Sequence, residues 1–131
     1  MDQKLALVIE DDSDLAEIFS QALSRDGFEP EVIASGDLAL ERLAECTPRL
    51  AVLDLHLPRV NGVQILKHIR SEARLRDMRV IVVTADHLMA EQADADADLV
   101  LLKPVSFRQL SDLAQRIGFT PHPAQGAPWK S

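Results

Sequence analysis

A chain of 131 residues, 47% of them apolar, has the size of one domain and enough apolar material to bury a core of its own. Its net charge of -7 and pI near 5.0 exclude the usual phosphate-backbone binder, which needs a basic face to displace counterions, so no direct nucleic-acid ligand is expected. Its apolar runs fall far short of the roughly 20 residues of a membrane span, and the start, MDQK, lacks the charged and long apolar stretches of a secretory signal, so a cytoplasmic protein without membrane contact is expected.

In chain order, the apolar run Leu5 to Ile9 reads as a strand and is followed directly by three acids, Glu10, Asp11 and Asp12. Leu15, Ile18, Phe19, Ala22 and Leu23 have helical spacing; Asp14 and Glu17 are spaced as an aspartate-based capping box, and Gly27 is placed to close the helix. A weaker run, Pro30 to Ala34, suits a strand nearer the sheet edge, and Leu38, Leu40 and Leu43 predict a second helix. Leu50 to Leu55 is a third strand, carrying Asp54 at its end. Asn61 and Gly62 open a third helix bearing Val63, Ile65, Leu66 and Ile69. Arg70, Glu72, Arg74, Arg76 and Arg79 then form a charged stretch, read as a solvated face.

Val80 to Thr84 is the fourth strand. The segment ADHLMAEQADADAD offers Leu88 and Met89 but alternates Ala with Asp, which predicts a short, loosely held fourth helix ending in an acidic loop. Leu99 to Leu102 is the fifth strand, leading into Lys103 and Pro104, and Phe107, Leu110, Leu113 and Ile117 mark the last helix. The end, TPHPAQGAPWKS, holds three of the seven prolines and one large apolar residue, Trp129, so residues 1–118 are expected to form the domain and 119–131 a disordered tail or linker remnant. The lone cysteine, Cys46, cannot form an internal disulfide and is read as a small buried residue. The four histidines, His56, His68, His87 and His122, lack zinc-finger or H-E-x-x-H spacing.

The apolar runs contain too few polar residues to alternate, which suits strands buried on both faces. Five such strands alternating with helices imply an α/β fold, a parallel sheet with helices on both sides. In such a sheet ligands bind at the carboxyl ends of the strands, at the crevice where strand order reverses. The residues at those ends are Glu10, Asp11 and Asp12, then Asp54, Thr84 and Lys103. Clustered carboxylates repel one another, so one takes up a proton or a cation settles among them. An all-oxygen site without cysteine suits Mg2+ better than zinc. Lys103 would place a positive charge, and Thr84 a hydroxyl, beside phosphoryl oxygens, with Asp54 as the nucleophile. Strand ends alone leave both Glu10 with Asp11 and Asp11 with Asp12 open as the metal pair.

Over residues 3 to about 118 the chain resembles the receiver domain of two-component response regulators. The matching pieces are LALVIEDD at the first strand, LAVLDLHLPRVNG around Asp54, VIVVTA ending at Thr84 and Ala85, and LLKP at Lys103 and Pro104. The resemblance implies a flavodoxin-like doubly wound sheet of strand order 2-1-3-4-5. It also implies phosphotransfer from a sensor histidine kinase or phosphotransfer protein onto Asp54, with Mg2+ required. Carried over by position, Asp11 would bind the metal directly, Glu10 would act through a water, and Asp54 and the His56 backbone carbonyl would complete the protein ligands. The His56 side chain would then point outward, where it could influence attack of water on the acyl phosphate. A cis peptide before Pro104 would aim Lys103 at the phosphate, and Gly62 would serve backbone geometry. Asp12 would remain at the start of the first helix, favoured there by the helix dipole.

Two departures from the family pattern concern the face through which many receivers signal. Val100 stands where receivers usually carry Tyr or Phe, and the stretch from Thr84 to Lys103 is shorter than usual by roughly one helical turn. The expected function is a phosphoacceptor receiver, not an enzyme toward any substrate beyond its own Asp54, acting as a stand-alone shuttle or by docking to a downstream protein of unknown identity. The alternative is a receiver-fold binding module whose output needs no phosphate. An aspartyl phosphohydrolase is the third reading, weakened because His56 stands where that family wants a second aspartate.

Overall fold

The computed structural model describes residues 2–123, without the side chain of Asp2. Residues 124–131 of the expected tail, Trp129 among them, lie outside the described residues. Five strands alternate with five helices: β1 (Asp2–Ile9), α1 (Ser13–Arg25), β2 (Glu29–Ile33), α2 (Gly36–Glu45), β3 (Pro48–Asp54), α3 (Gly62–Ser71), β4 (Arg79–Thr84), α4 (His87–Ala93), β5 (Leu99–Leu102) and α5 (Phe107–Ile117). All strand pairs are parallel and the order is β2-β1-β3-β4-β5, as expected.

Alternate residues of each central strand feed two separate cores, which is why the strands read as unbroken apolar runs. Leu7, Ile9, Leu53, Val80 and Val82 pack under α2, α3 and α4 with Leu43, Ile65, Leu66 and Ile69. Ala6, Val8, Leu50, Val52, Ile81 and Val83 pack under α1 and α5 with Phe19, Leu23, Leu110 and Ala114. The outer strand β2 is only partly buried, as its weaker apolar run predicted. Two helix positions on the expected apolar faces are turned outward: Ile18 is 37% and Leu38 is 51% exposed, and α1 and α2 instead bury the small residues Ala16, Ala22 and Ala39.

The caps need one correction. The N-cap of α1 is Asp12, whose Oδ1 accepts from the N–H groups of Asp14 and Leu15 at 2.9 and 3.1 Å. Asp14 is therefore not the capping residue but lies in the first turn, where its charge still suits the helix dipole. Asn61 caps α3 as expected, accepting from the Gln64 N–H at 3.0 Å. The fourth helix is short, as predicted, with seven residues and only Ala93 buried.

Of the arginines from the end of α3 to the start of β4, Arg76 is exposed as expected, but Arg70, Arg74 and Arg79 do not form a solvated face. Arg70 and Arg79 converge on Asp98, whose side chain is 2% exposed, at 2.9 and 2.7 Å. Arg70 also donates to the carbonyls of Asp96 and Met78 at 2.7 and 2.6 Å, and Arg74 to those of Leu43 and Cys46 at 2.5 and 2.6 Å. The loop after α4, read as merely acidic, thus buries one of its aspartates. The guanidiniums supply what a buried carboxylate needs, compensating charge and donors together. His122, assigned to the tail on composition, joins the same cluster, with Nδ1 2.6 Å from Asp98 Oδ1. Cys46 is buried as expected, and its Sγ lies 3.2 Å from the Arg42 carbonyl oxygen.

Candidate functional site

The switch in strand order falls between β1, which pairs outward with β2, and β3, which leads on to β4. Ile9 is aligned with Leu53, so Glu10 and Asp54 emerge side by side at the carboxyl edge. Asp54 is aligned with Val83 and Thr84 with Leu102, so Thr84 and Lys103 follow one step later on the same edge. Parallel register, set by buried apolar side chains, is what gathers residues so distant in sequence.

Glu10, Asp11 and Asp54 each present a carboxylate oxygen, all within 4.8 Å of one another. Glu10 and Asp54 are buried, at 1% and 2% exposure, whereas Asp11 is exposed on the rim. Asp54 Oδ1 accepts the His56 N–H at 3.0 Å, and Oδ2 faces Lys103 Nζ at 3.3 Å. Glu10 Oε2 accepts the Asp12 N–H at 3.3 Å. Its Oε1 lies 3.2 Å from Lys103 Nζ, yet the approach lacks hydrogen-bonding geometry and that oxygen accepts no hydrogen bond. A buried carboxylate oxygen that has an ion pair but accepts no hydrogen bond is incompletely compensated.

Burial and the neighbouring Asp54 carboxyl, by hydrogen bond and by charge, push Glu10 up to about 7. Burial alone would lower the Lys103 ammonium, but the carboxylates of Asp54 and Glu10 outweigh it and raise it above its usual range. The site therefore has a cation fixed on one side and an excess of carboxylate on the other.

Thr84 is fully buried, and its Oγ1 accepts the Asp86 N–H at 3.0 Å, which leaves the hydroxyl hydrogen available to donate. The Lys103 N–H donates to the Thr84 carbonyl at 2.8 Å, and the Lys103–Pro104 peptide bond is cis. The His56 side chain is 62% exposed and turns to Asp86, at 3.7 Å. Asp86, the N-cap of α4, is held below the usual carboxylate range by the Met89 and Leu88 N–H groups, with a smaller contribution from His56. It is a site neighbour that neither the strand ends nor the family resemblance singled out; its place before an apolar pair, at a helix start, was the available signal.

Gly62 sets the approach of α3 to the site. A Cβ there would lie 2.6 Å from the Asp54 carbonyl oxygen and 2.6 Å from Leu55 Cα, so a side chain would force the helix away from the end of β3.

Residues 6–115 match the family model described as the response regulator receiver domain. The chain belongs to this family, the receiver domains of two-component response regulators. Among curated relatives, it is 33% identical over 107 residues to the phosphate regulon transcriptional regulatory protein PhoB of Escherichia coli K12, covering 79% of this chain and 47% of PhoB. The chain thus spans about half the length of the curated relatives it matches. Among solved structures, a CheY-like receiver domain from Methylobacillus flagellatus superposes with a TM-score of 0.76 at 25% identity, over 86% of this chain and 97% of that one. A Burkholderia pseudomallei response regulator, solved with a phosphorylated aspartic acid, calcium ion and citrate, matches with a TM-score of 0.72 at 30% identity, over 86% and 65% of the two chains.

Proposed function

We propose that this receiver domain accepts a phosphoryl group on Asp54, with Mg2+, from a histidine kinase or phosphotransfer protein in the cytoplasm, and signals by changed docking to another protein. The observation that carries the reading is the convergence of three carboxylates within 4.8 Å and a lysine 3.3 Å from Asp54. An all-oxygen donor set with a buried Glu10 oxygen that accepts no hydrogen bond and an exposed rim at Asp11 fits a hard divalent cation that keeps some of its water. Glu10, Asp11, Asp54 and the His56 carbonyl would hold it. When bound, Mg2+ supplies positive charge against the phosphoryl oxygens. The related Burkholderia structure, with its phosphorylated aspartic acid and calcium ion, supports the same use of this crevice.

In the transfer, a carboxylate oxygen of Asp54 attacks phosphorus as the bond to the donor imidazole breaks. The product is an acyl phosphate, and the electron pair leaves with the imidazole nitrogen. Lys103 offsets the negative charge of the phosphoryl oxygens, the Thr84 hydroxyl donates to one of them, and the His56 N–H keeps Asp54 oriented. The domain would catalyse only its own phosphorylation and dephosphorylation. Val100 and the seven-residue α4 favour one second reading, a binding module whose docking needs no phosphate.

Incubation with acetyl phosphate and Mg2+, followed by intact mass measurement, is expected to add one phosphoryl group to the wild type and none to Asp54→Asn. A beryllofluoride titration covers rapid hydrolysis. Absence of both the added mass and beryllofluoride binding would leave the phosphate-independent module as the function.

A further inference from the structure

The pole opposite Asp54, at the amino-terminal edge of the sheet, carries a second organised cluster. Phe119 stacks on Phe28 with ring centroids 4.4 Å apart and planes 7° from parallel. Its carbonyl accepts from Arg49 Nη2 at 2.9 Å, and that guanidinium lies 5.9 Å from the Phe119 ring centroid. One residue on, Arg79 donates to the Thr120 carbonyl and hydroxyl at 2.8 and 2.7 Å. The His122 N–H then donates to the Asp77 carbonyl at 2.9 Å, and its ring reaches Asp98. In sequence, the segment therefore touches the turn before β2, the start of β3, the start of β4 and the residue before β5.

We propose that residues 119–122 form a detachable strap, which docks across this edge and can leave it without disturbing the core. Detachment is cheap because of how Asp98 is served. With the strap gone, its Oδ2 still accepts from Arg70 and from the Val80 N–H at 2.9 and 2.7 Å, and its Oδ1 from Arg79 at 2.7 Å. No buried carboxylate is orphaned, whereas the Arg79 groups that served Thr120 turn to water. At the strap's start the Phe119 ring is 42% exposed, whereas the His122 side chain, at 10%, is largely covered.

Docking is nevertheless specific. Gly118 is buried against Phe28, and a Cβ at Gly118 would collide with the Phe28 ring. The missing side chain lets the end of α5 approach closely enough for Phe119 to stack. A ring, two carbonyls, a hydroxyl and an imidazole thus meet an aromatic face, two guanidiniums and a carboxylate, and the chain's own segment is the occupant of this edge.

Amide exchange on the full chain tests the proposal. In the wild type the His122 amide is expected to exchange on the order of tenfold or more slowly than in an unstructured peptide, yet much faster than the amides of β3. In a Phe119→Ala, His122→Ala double variant, the amides of 119–122 reach the unstructured rate while β1 and β3 stay protected. An unstructured rate for His122 in the wild type would show that the strap does not dock. Exchange of His122 as slow as that of β3 in the wild type, or loss of β1 and β3 protection in the double variant, would show that the segment belongs to the cooperative core.

Discussion

Glu10 is the residue at which the site's charge conflict is concentrated. Its carboxyl, raised from 4.5 to about 7 by burial and by Asp54, keeps in the folded chain a proton that the unfolded chain has lost over that interval. The folded state binds more protons there, so the contribution of this group to stability is fully present below about 4.5 and is lost as pH rises through about 7. Without Mg2+, the melting temperature of the wild type is expected to fall relative to Glu10→Gln as the pH is raised from about 5 to about 8. A constant difference across that range would mean that Glu10 titrates normally. Mg2+ works in the opposite direction, since a cation among these oxygens favours the carboxylate.

At the scale of elements, the two strands that carry Thr84 and Lys103 at their carboxyl ends begin at the same buried cluster. Asp98 joins Arg79 at the start of β4 to Arg70 at the end of α3, both guanidiniums being largely buried, at 14% and 11% exposure. Burial would raise the Asp98 carboxyl, but the bonds from His122, Val80 and Arg79, with the charge of Arg70, hold it below the usual range. An ionised carboxylate only accepts, so His122 Nδ1 bears the proton in this contact.

Removing the anion would leave two buried cations uncompensated. Asp98→Ala is expected to cost about 3 kcal/mol or more in urea unfolding, whereas truncation of exposed Arg76 should stay within about 0.5 kcal/mol. Equal effects of the two would return Arg70 and Arg79 to the status of surface residues. Nothing periodic announced this cluster. Asp98 lies 28 residues from Arg70 and 24 from His122, and an arginine-rich stretch has the same composition whether it faces water or grips a buried acid. The carboxylate crevice was legible because each of its residues ends an apolar run, a local signal that the parallel register then brings together. The α1 cap was misplaced by two residues for a related reason. Asp12 and Asp14 both precede the apolar face, and only backbone geometry decides which one accepts from the first turn.

For the whole molecule, the fold separates two opposite arrangements of charge. Carboxylates outnumber cations at the carboxyl edge, where one Glu10 oxygen accepts no hydrogen bond; at the amino edge, guanidiniums satisfy the buried side chain of Asp98. Binding a cation should therefore stabilise the folded chain and should do so through one edge only. At a free Mg2+ concentration about tenfold above Kd, the linkage is worth about 1.4 kcal/mol, which for a domain of this size is a rise of several degrees in Tm. Asp11→Ala is expected to abolish that rise because the exposed ligand at the rim is gone. Asp12→Ala removes the α1 cap, so it should start about 1 kcal/mol less stable and yet keep the Mg2+-dependent increment, since only its backbone N–H serves Glu10. Differential scanning of the three proteins with and without Mg2+ separates these roles. An increment surviving in Asp11→Ala, or lost in Asp12→Ala, would move the metal from Glu10 and Asp11 to a pair that includes Asp12.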